Sequence, residues 1–120
     1  MLINELSKKT DVTIHTIRYY ENLGLIQGTA DENVKTNNYK NYDEGVVERL
    51  KIIIEAKEVG FTLAEIRKLL GSWFDDSNPK SETLALLRDK INEIDKKIKQ
   101  FRQIKKRLEK ACQEIENREC

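Results

Sequence analysis

Two short segments at the start of the chain place apolar residues at helical spacing. The first covers about residues 3–10 and the second about residues 14–23. Thr13 can cap the start of the second segment, and Gly24 can end it. Only the tight turn at residues 10–12 separates the two segments, and this is the layout of a helix-turn-helix DNA reader.

Two further short helices are predicted after a polar stretch at residues 27–42. That stretch ends in Tyr-Lys-Asn-Tyr, whose alternation of aromatic and polar residues predicts a short hairpin or wing. Asp43 can cap a third helix that ends at Gly60, with Val46, Val47, Leu50, Ile53 and Ile54 at helical spacing. Residues 62–65 match a capping box that opens a fourth helix.

The last third of the chain carries a heptad pattern of apolar residues. With Leu84 as position a, the a and d positions from 84 to 115 hold Leu, Leu, Ile, Ile, Ile, Phe, Lys, Leu, Cys and Ile. Only Lys105 interrupts them, so the pattern predicts a coiled coil. A single helix with this stripe would expose too much apolar surface, and we therefore expect a homodimer.

These patterns predict a mainly α fold in four parts. Residues 1–70 form a winged helix-turn-helix DNA-binding domain and residues 71–79 a linker. Residues 80–116 form a coiled-coil dimerisation helix, and residues 117–120 a C-terminal tail. The composition fits this division, since 38% hydrophobic and 36% charged residues indicate a small core attached to a solvated element.

Charge alone does not indicate a nucleic-acid partner. The net charge is +1, and residues 1–70 hold 10 Lys and Arg against 11 Asp and Glu. A basic stripe is the usual footprint of DNA binding, so that function depends here on the motif. The alternative is a coiled-coil interaction module whose head binds protein instead of DNA. Because the sequence shows no membrane span, signal peptide or catalytic constellation, we expect a cytoplasmic protein that is not an enzyme.

Taken in order, several segments resemble the MerR family of bacterial transcription regulators. They are residues 3–6, residues 16–21 (Thr-Ile-Arg-Tyr-Tyr-Glu) with 23–26, residues 39–42 and residues 59–66, followed by the coiled coil. The resemblance is to a short member without a large C-terminal effector domain. Asp11 stands where the family commonly has Gly, and a turn tolerates it because Asp can adopt left-handed conformations.

The resemblance implies a winged helix-turn-helix dimer joined by an antiparallel coiled coil. Such dimers bind pseudo-palindromic double-stranded promoter DNA whose spacer is too long for RNA polymerase. An effector then lets the dimer bend and untwist the DNA, which realigns the promoter elements.

Candidate DNA contacts lie on the second predicted helix. Arg18, exposed by periodicity, suits a phosphate or a guanine edge, although an ion pair with Glu21 or Asp11 is the alternative. The first turn of this helix and its cap add Thr13, His15 and Thr16. By resemblance, Tyr20 faces outward as a phosphate donor while Tyr19 packs inward.

Further candidate contacts lie in the predicted wing and after it. Tyr39 and Lys40 are expected to touch the DNA backbone. Tyr42 suits either that role or the core, and Lys57 suits either a phosphate contact or a solvated helix face. Lys40 replaces the Arg usual in the family, which keeps the charge but loses bidentate geometry.

Two cysteines near the C-terminus raise the question of a metal effector. Branches of the family sense soft metals with two cysteines at the end of the dimerisation helix, and thiolates suit Cu(I) or Zn(II). Cys112 and Cys120 have a comparable spacing, but the residues between them continue the helical pattern. Eight helical residues would separate the Cα atoms by roughly 12 Å, too far for one ion. Metal sensing, thiol-redox sensing and a purely structural role therefore remain open.

Overall fold

The computed structural model describes residues 1–30, 40–74 and 79–118, and five helices lie in these ranges. They are α1 (Ile3–Thr10), α2 (Ile14–Asn22), α3 (Glu44–Glu58), α4 (Leu63–Trp73) and α5 (Pro79–Asn117). The chain divides into two compact units, Met1–Ser77 and Asn78–Cys120. We call the first unit the head. The predicted mainly α fold, a helix-turn-helix followed by a long helix, is confirmed.

A tight turn joins α1 to α2. Asp11 ends α1 in the left-handed conformation, with φ 58° and ψ 31°, as its place in the turn predicted. The hydroxyl of Ser7 donates to the carbonyl oxygen of Val12, and that of Thr10 donates to Leu6 at 2.7 Å. These local hydrogen bonds fix the direction in which α2 leaves the turn.

The core of the head lies between α1, α2, α3 and α4. Its largest fully buried side chains are Leu6, Ile17, Leu50, Ile53 and Ile66. Each helix contributes the apolar face that helical spacing predicted, so α2 is held by its buried face with the opposite face left to solvent.

The predicted caps of α3 and α4 are present. The side chain of Asp43 accepts from the backbone N–H of Val46, and Thr62 and Glu65 form the capping box. However, α4 extends to Trp73, so the assignment of residues 71–73 to the linker was wrong. In this last turn Ser72 is buried, and its hydroxyl donates to the carbonyl oxygen of Leu69.

The base of the predicted wing is a single antiparallel bridge between Thr29 and Asn41. Next to it, the backbone N–H of Tyr42 donates to the carbonyl oxygen of Met1 at 2.7 Å. The wing tip, which includes Tyr39, lies outside the described residues. We call residues 28–30 and 40–42 the wing base.

The second unit is the single helix α5. Its exposed large apolar side chains are Leu84, Ile91, Ile94, Ile98, Phe101, Ile104, Leu108 and Ile115. Most occupy the predicted a and d positions, and Ile104 lies directly before Lys105, which interrupts the heptads. Among the described residues, no helix combines the length and apolarity needed to cross a membrane.

Candidate nucleic-acid interface

One face of α2 is exposed and carries three of the predicted DNA contacts. His15, Arg18 and Tyr19 follow one another at the i, i+3 and i+4 spacing that places side chains on one helix face. All three are exposed, whereas Ile17 and Tyr20 point into the core. We call His15, Arg18 and Tyr19 the reading face. It combines a cation, an imidazole and a phenol, which suit phosphates and base edges.

The predicted orientation of the two tyrosines was wrong. Tyr19 is 48% exposed and Tyr20 only 5%, so Tyr19 faces outward and Tyr20 packs inward. Tyr20 follows Ile17 by three residues, which puts both on the same buried face. Burial, with the neighbouring Tyr19, raises the pKa of Tyr20. Helical periodicity predicts the observed orientation of the two tyrosines, but the resemblance to the family favoured the opposite orientation.

The start of α2 is suited to an anion. Thr13 caps the helix by accepting from the backbone N–H of Thr16 at 3.2 Å, and its hydroxyl donates to the Thr16 hydroxyl at 2.9 Å. The first turn of α2 carries no acidic residue, whereas those of α1, α3 and α4 each contain a glutamate. A phosphate near α2 therefore meets a helix N-terminus without a competing carboxylate. Thr13 and Thr16 shape this end of the helix.

Glu21 joins the last turn of α2 to the wing base. Its Oε1 accepts from the Tyr42 hydroxyl at 2.7 Å. Its Oε2 accepts from Lys40 Nζ at 3.2 Å and from the backbone N–H of Gly28 at 3.3 Å. Partial burial raises the pKa of Glu21, but the hydrogen bonds from Tyr42, Lys40 and Gly28 outweigh it, and the pKa lies below its usual value of 4.5. The carboxylate is therefore charged at neutral pH.

The remaining candidates fall into different environments. Tyr42 is only 2% exposed, so it belongs to the core and its assignment as a DNA contact is corrected. Burial and the bond to Glu21 raise the pKa of its hydroxyl, which stays protonated as a donor. Lys40 is half-buried against Glu21, and Lys57 is exposed near the end of α3.

Arg67, a residue that the sequence did not single out, supports the other end of α2. Its Nη2 donates to the carbonyl oxygen of Leu23 at 2.6 Å. This contact satisfies a carbonyl that the helix itself leaves without a partner. The chain then turns at Gly24, whose φ of +77° favours glycine. Arg67 lies 44 residues from Leu23, and no local pattern marks such a pair.

The cysteine region of α5 does not form a metal site within the described residues. The helix continues through Asn117, and the exposed thiol of Cys112 stands on it. Cys120 lies outside the described residues. No group of three or more His, Cys, Asp or Glu that could hold a metal ion occurs in the described part of the chain. A metal bound at Cys112 would need ligands from Cys120 or from a second chain.

Two family models match most of the chain. The model described as MerR HTH family regulatory protein matches residues 1–73, and the model described as MerR, DNA binding, matches residues 47–111. The chain is also 38% identical to the mercuric resistance operon regulatory protein of Bacillus cereus, over 88% of this chain and 78% of that protein.

Solved structures show the same fold. The transcription regulator PbrR691 from Ralstonia metallidurans CH34, solved in complex with lead(II), has a TM-score of 0.75 and 33% identity, covering 90% of this chain and 81% of that one. HiNmlR, a MerR family regulator lacking the sensor domain and bound to promoter DNA, has a TM-score of 0.61 and 18% identity, covering 86% and 76%. The chain therefore belongs to the MerR family of helix-turn-helix transcription regulators.

Proposed function

We propose that this regulator binds double-stranded promoter DNA as a homodimer, with the reading face of α2 in the major groove. The observation that carries the proposal is the exposed face of His15, Arg18 and Tyr19 on a helix whose first turn lacks acidic residues. Arg18 is assigned to a phosphate or a guanine edge, and Tyr19 replaces Tyr20 as the phenol that faces DNA. Lys57 is assigned to a phosphate beyond α2.

The dimer is proposed to form through α5 as an antiparallel coiled coil. In the single chain, apolar side chains such as Phe101, 67% exposed, and Leu108, 63% exposed, lie open along this helix. A second copy would cover them, and antiparallel pairing would place one head at each end of the paired helices. Two heads with two-fold symmetry match a pseudo-palindromic site.

The regulatory step is proposed to act on DNA shape. A dimer bound to both half-sites can bend and untwist the spacer between them, and the deformation then aligns the promoter for RNA polymerase. The solved relative HiNmlR is bound to promoter DNA, which favours a promoter site for this chain as well. The alternative, a coiled-coil module that binds only protein, predicts no DNA binding.

DNA binding is tested on duplexes that cover the promoter upstream of the regulator's own gene. Arg18→Ala should weaken binding about 10- to 100-fold and reduce the salt dependence by roughly one phosphate contact, because one cation is removed. Lys96→Ala on α5 removes one exposed charge outside the reading face and should leave both unchanged. A dimer lost in Arg18→Ala, or binding that salt does not affect, would contradict the assignment.

A soft metal ion is the effector that the relatives favour. One is named for mercuric resistance and another was solved with lead(II). For this chain, we propose that Cu(I) or Zn(II) binds the Cys112 thiolate together with ligands from Cys120 or the partner chain. The described residues of one chain are insufficient by themselves.

Calorimetry on the reduced protein tests the metal effector. Wild-type protein should bind Cu(I) or Zn(II) tightly, and Cys112→Ser should lose most of this affinity because thiolate is the preferred ligand. Gln100→Ser, at an exposed polar position in the middle of the same helix, is the matched control that keeps the thiol. Equal and weak binding by wild type and Cys112→Ser would contradict the metal effector. Thiol-redox sensing or a purely structural role of Cys112 would then be favoured.

A further inference from the structure

We propose that Glu21 is a positioning residue for DNA reading, which fixes the wing base relative to the recognition helix α2. This inference rests on the proposed DNA-binding function. We call the contacts of Glu21 with Gly28, Lys40 and Tyr42 the joint. Lys40 belongs to the joint and therefore makes no independent phosphate contact. Reading by two elements requires that their separation match the DNA, so a residue that sets this separation controls affinity without touching a base.

The carboxylate of Glu21 holds both ends of the wing segment. Gly28 precedes the wing tip, and Lys40 and Tyr42 follow it. All three donate hydrogen bonds to Glu21, at 3.3, 3.2 and 2.7 Å respectively. Only 14% of the Glu21 side chain is exposed, so water competes poorly for these bonds. One side chain on α2 therefore ties down the entry and the exit of the wing.

Gly28 and Tyr42 are packed closely against each other. A Cβ atom built on Gly28 would lie 2.8 Å from Cε1 of Tyr42, so any side chain at this position would displace the ring. Tyr42 is also fixed on its backbone side, where its N–H donates to Met1 and its carbonyl oxygen accepts from the Met1 amino group. The Tyr42 hydroxyl is thus presented to Glu21 from a rigid position.

Lys40 is engaged by this joint. Its ammonium group lies 3.2 Å from Glu21 Oε2, and 31% of the side chain is exposed. A cleft of about 140 Å³ opens beside it, lined by Arg18, Glu21, Asn22, Lys40 and Tyr42. Because the Lys40 charge is already neutralised by a nearby carboxylate, it releases few counterions from DNA. Arg18, on the reading face, supplies the cation on this side of the site.

Hydrogen exchange tests the joint without DNA. Glu21→Gln keeps the shape of the side chain but removes the charge that holds three donors. The amides of Gly28, Asn41 and Tyr42 should exchange at least about tenfold faster in this variant, while core amides of α3 stay unchanged. Glu44→Gln is the matched control, since Glu44 pairs with Lys9 on the surface of the same head. Unchanged exchange in Glu21→Gln would overturn the joint.

Promoter binding tests the positioning role. On the duplexes used for the wild type, Glu21→Gln should weaken binding about tenfold, and Glu44→Gln less than twofold. Lys40→Ala should weaken binding without changing the slope of affinity against salt, whereas Arg18→Ala should lower that slope by roughly one contact. In the Glu21→Gln background, Lys40→Ala should add less than about a twofold loss, because both act through one joint.

The outcomes separate this proposal from the proposed function. Additive losses for Glu21→Gln and Lys40→Ala, or a salt slope that falls by about one in Lys40→Ala, would overturn the joint role of Lys40. Normal promoter affinity of Glu21→Gln with faster wing-base exchange would overturn the positioning role alone. A wild-type protein that binds no duplex specifically would overturn the DNA-binding function and this role with it, while the exchange experiment still decides whether the joint exists.

Discussion

The head and the helix α5 differ in the burial of their apolar residues. In the head, Leu6, Ile17, Leu50, Ile53 and Ile66 are fully buried within one chain. Along α5, by contrast, eight of the large apolar side chains between Leu84 and Ile115 are 39% to 67% exposed. The head thus buries its apolar residues within one chain, whereas the exposed apolar surface of α5 is the surface that a second helix would cover.

The largest effect is expected where a charge is placed on α5. Ile98 is 44% exposed in the single chain and occupies an a position of the heptads. Ile98→Asp should raise the dissociation constant of the dimer at least about 100-fold, because each chain would bury an unpaired carboxylate. Sedimentation across a concentration range measures this. Gln100→Asp, at an exposed polar position two residues away, should remain dimeric.

If Ile98→Asp stayed dimeric at the same concentrations, α5 would not be the dimer interface. The head should remain folded in this variant, since its buried side chains all come from residues before α5. Far-UV and near-UV spectra of the variant therefore check that the loss concerns association alone.

Truncating a buried leucine should instead weaken the head itself. Leu50→Ala removes a fully buried side chain from α3 and should lower the free energy of unfolding by about 2–5 kcal/mol. Leu108→Ala, on α5, removes one that is 63% exposed in the single chain. Denaturant unfolding at several protein concentrations distinguishes the two, because only the Leu108→Ala loss should depend on concentration. A concentration-dependent loss in Leu50→Ala would refute the contrast.

The stability of the head should depend on pH through the partly buried carboxylate of Glu21. The pKa of Glu21 is lowered below 4.5 in the folded protein, so the unfolded state binds the proton first as pH falls. The stability from Glu21 is therefore fully present above pH 4.5 and is lost as pH falls through the lower, folded-state pKa. Glu21→Gln should cost about 1–3 kcal/mol at neutral pH, and this difference should shrink in acid.

The comparable carboxylate on α5 provides the control for this experiment. Hydrogen bonds from Lys90 and Lys97 lower the pKa of Glu93, but 45% of its side chain is exposed. Glu93→Gln should therefore change the acid dependence less than Glu21→Gln, because solvent screens the more exposed charge of Glu93. An equal effect of the two substitutions would show that partial burial at the wing base does not increase the contribution of Glu21 to stability.

The smallest effect is expected at the turn between α1 and α2. Asp11 has a φ of 58°, a region that Gly enters without steric cost. Asp11→Gly should stabilise the head by about 0.5 kcal/mol, since relief of strain exceeds the added freedom of the unfolded chain. Asp11→Ala should destabilise it by about 1 kcal/mol. Thermal unfolding measures both, and a loss of stability in Asp11→Gly would mean that the Asp side chain contributes a specific interaction.

Features encoded by neighbouring residues were predictable from the sequence. Thr13 and Asp43 cap their helices, and residues 62–65 form the capping box, because each signal lies within one helical turn of the group it satisfies. The exposure of His15 and Arg18 followed from the same short periodicity. The family was also evident, since its motifs are short and ordered along the chain.

The residues that position the site were harder to predict. The Glu21–Tyr42 bond joins residues 21 apart, and the Arg67–Leu23 bond joins residues 44 apart. Such pairs depend on how the helices pack, which a local pattern does not contain. The orientation of Tyr19 and Tyr20 was predictable, because Tyr20 shares its spacing with Ile17. The prediction for these two residues followed the family resemblance instead of the helical periodicity, and it was wrong for that reason.

The irregular apolar stripe of α5 has a consequence for the choice of partner. Lys105 replaces an apolar heptad residue, and Ile104 moves the apolar surface one position along the helix at that level. Such a break in the repeat locally changes the winding that a paired helix must follow. In the antiparallel pair proposed above, the break of each chain would lie opposite uninterrupted heptads of the other, so the two helices must be matched to accommodate the ammonium group of Lys105. A related regulator with differently placed apolar residues would lack this match. In a cell with several such regulators, this mismatch would disfavour mixed dimers and keep each regulator on its own promoters.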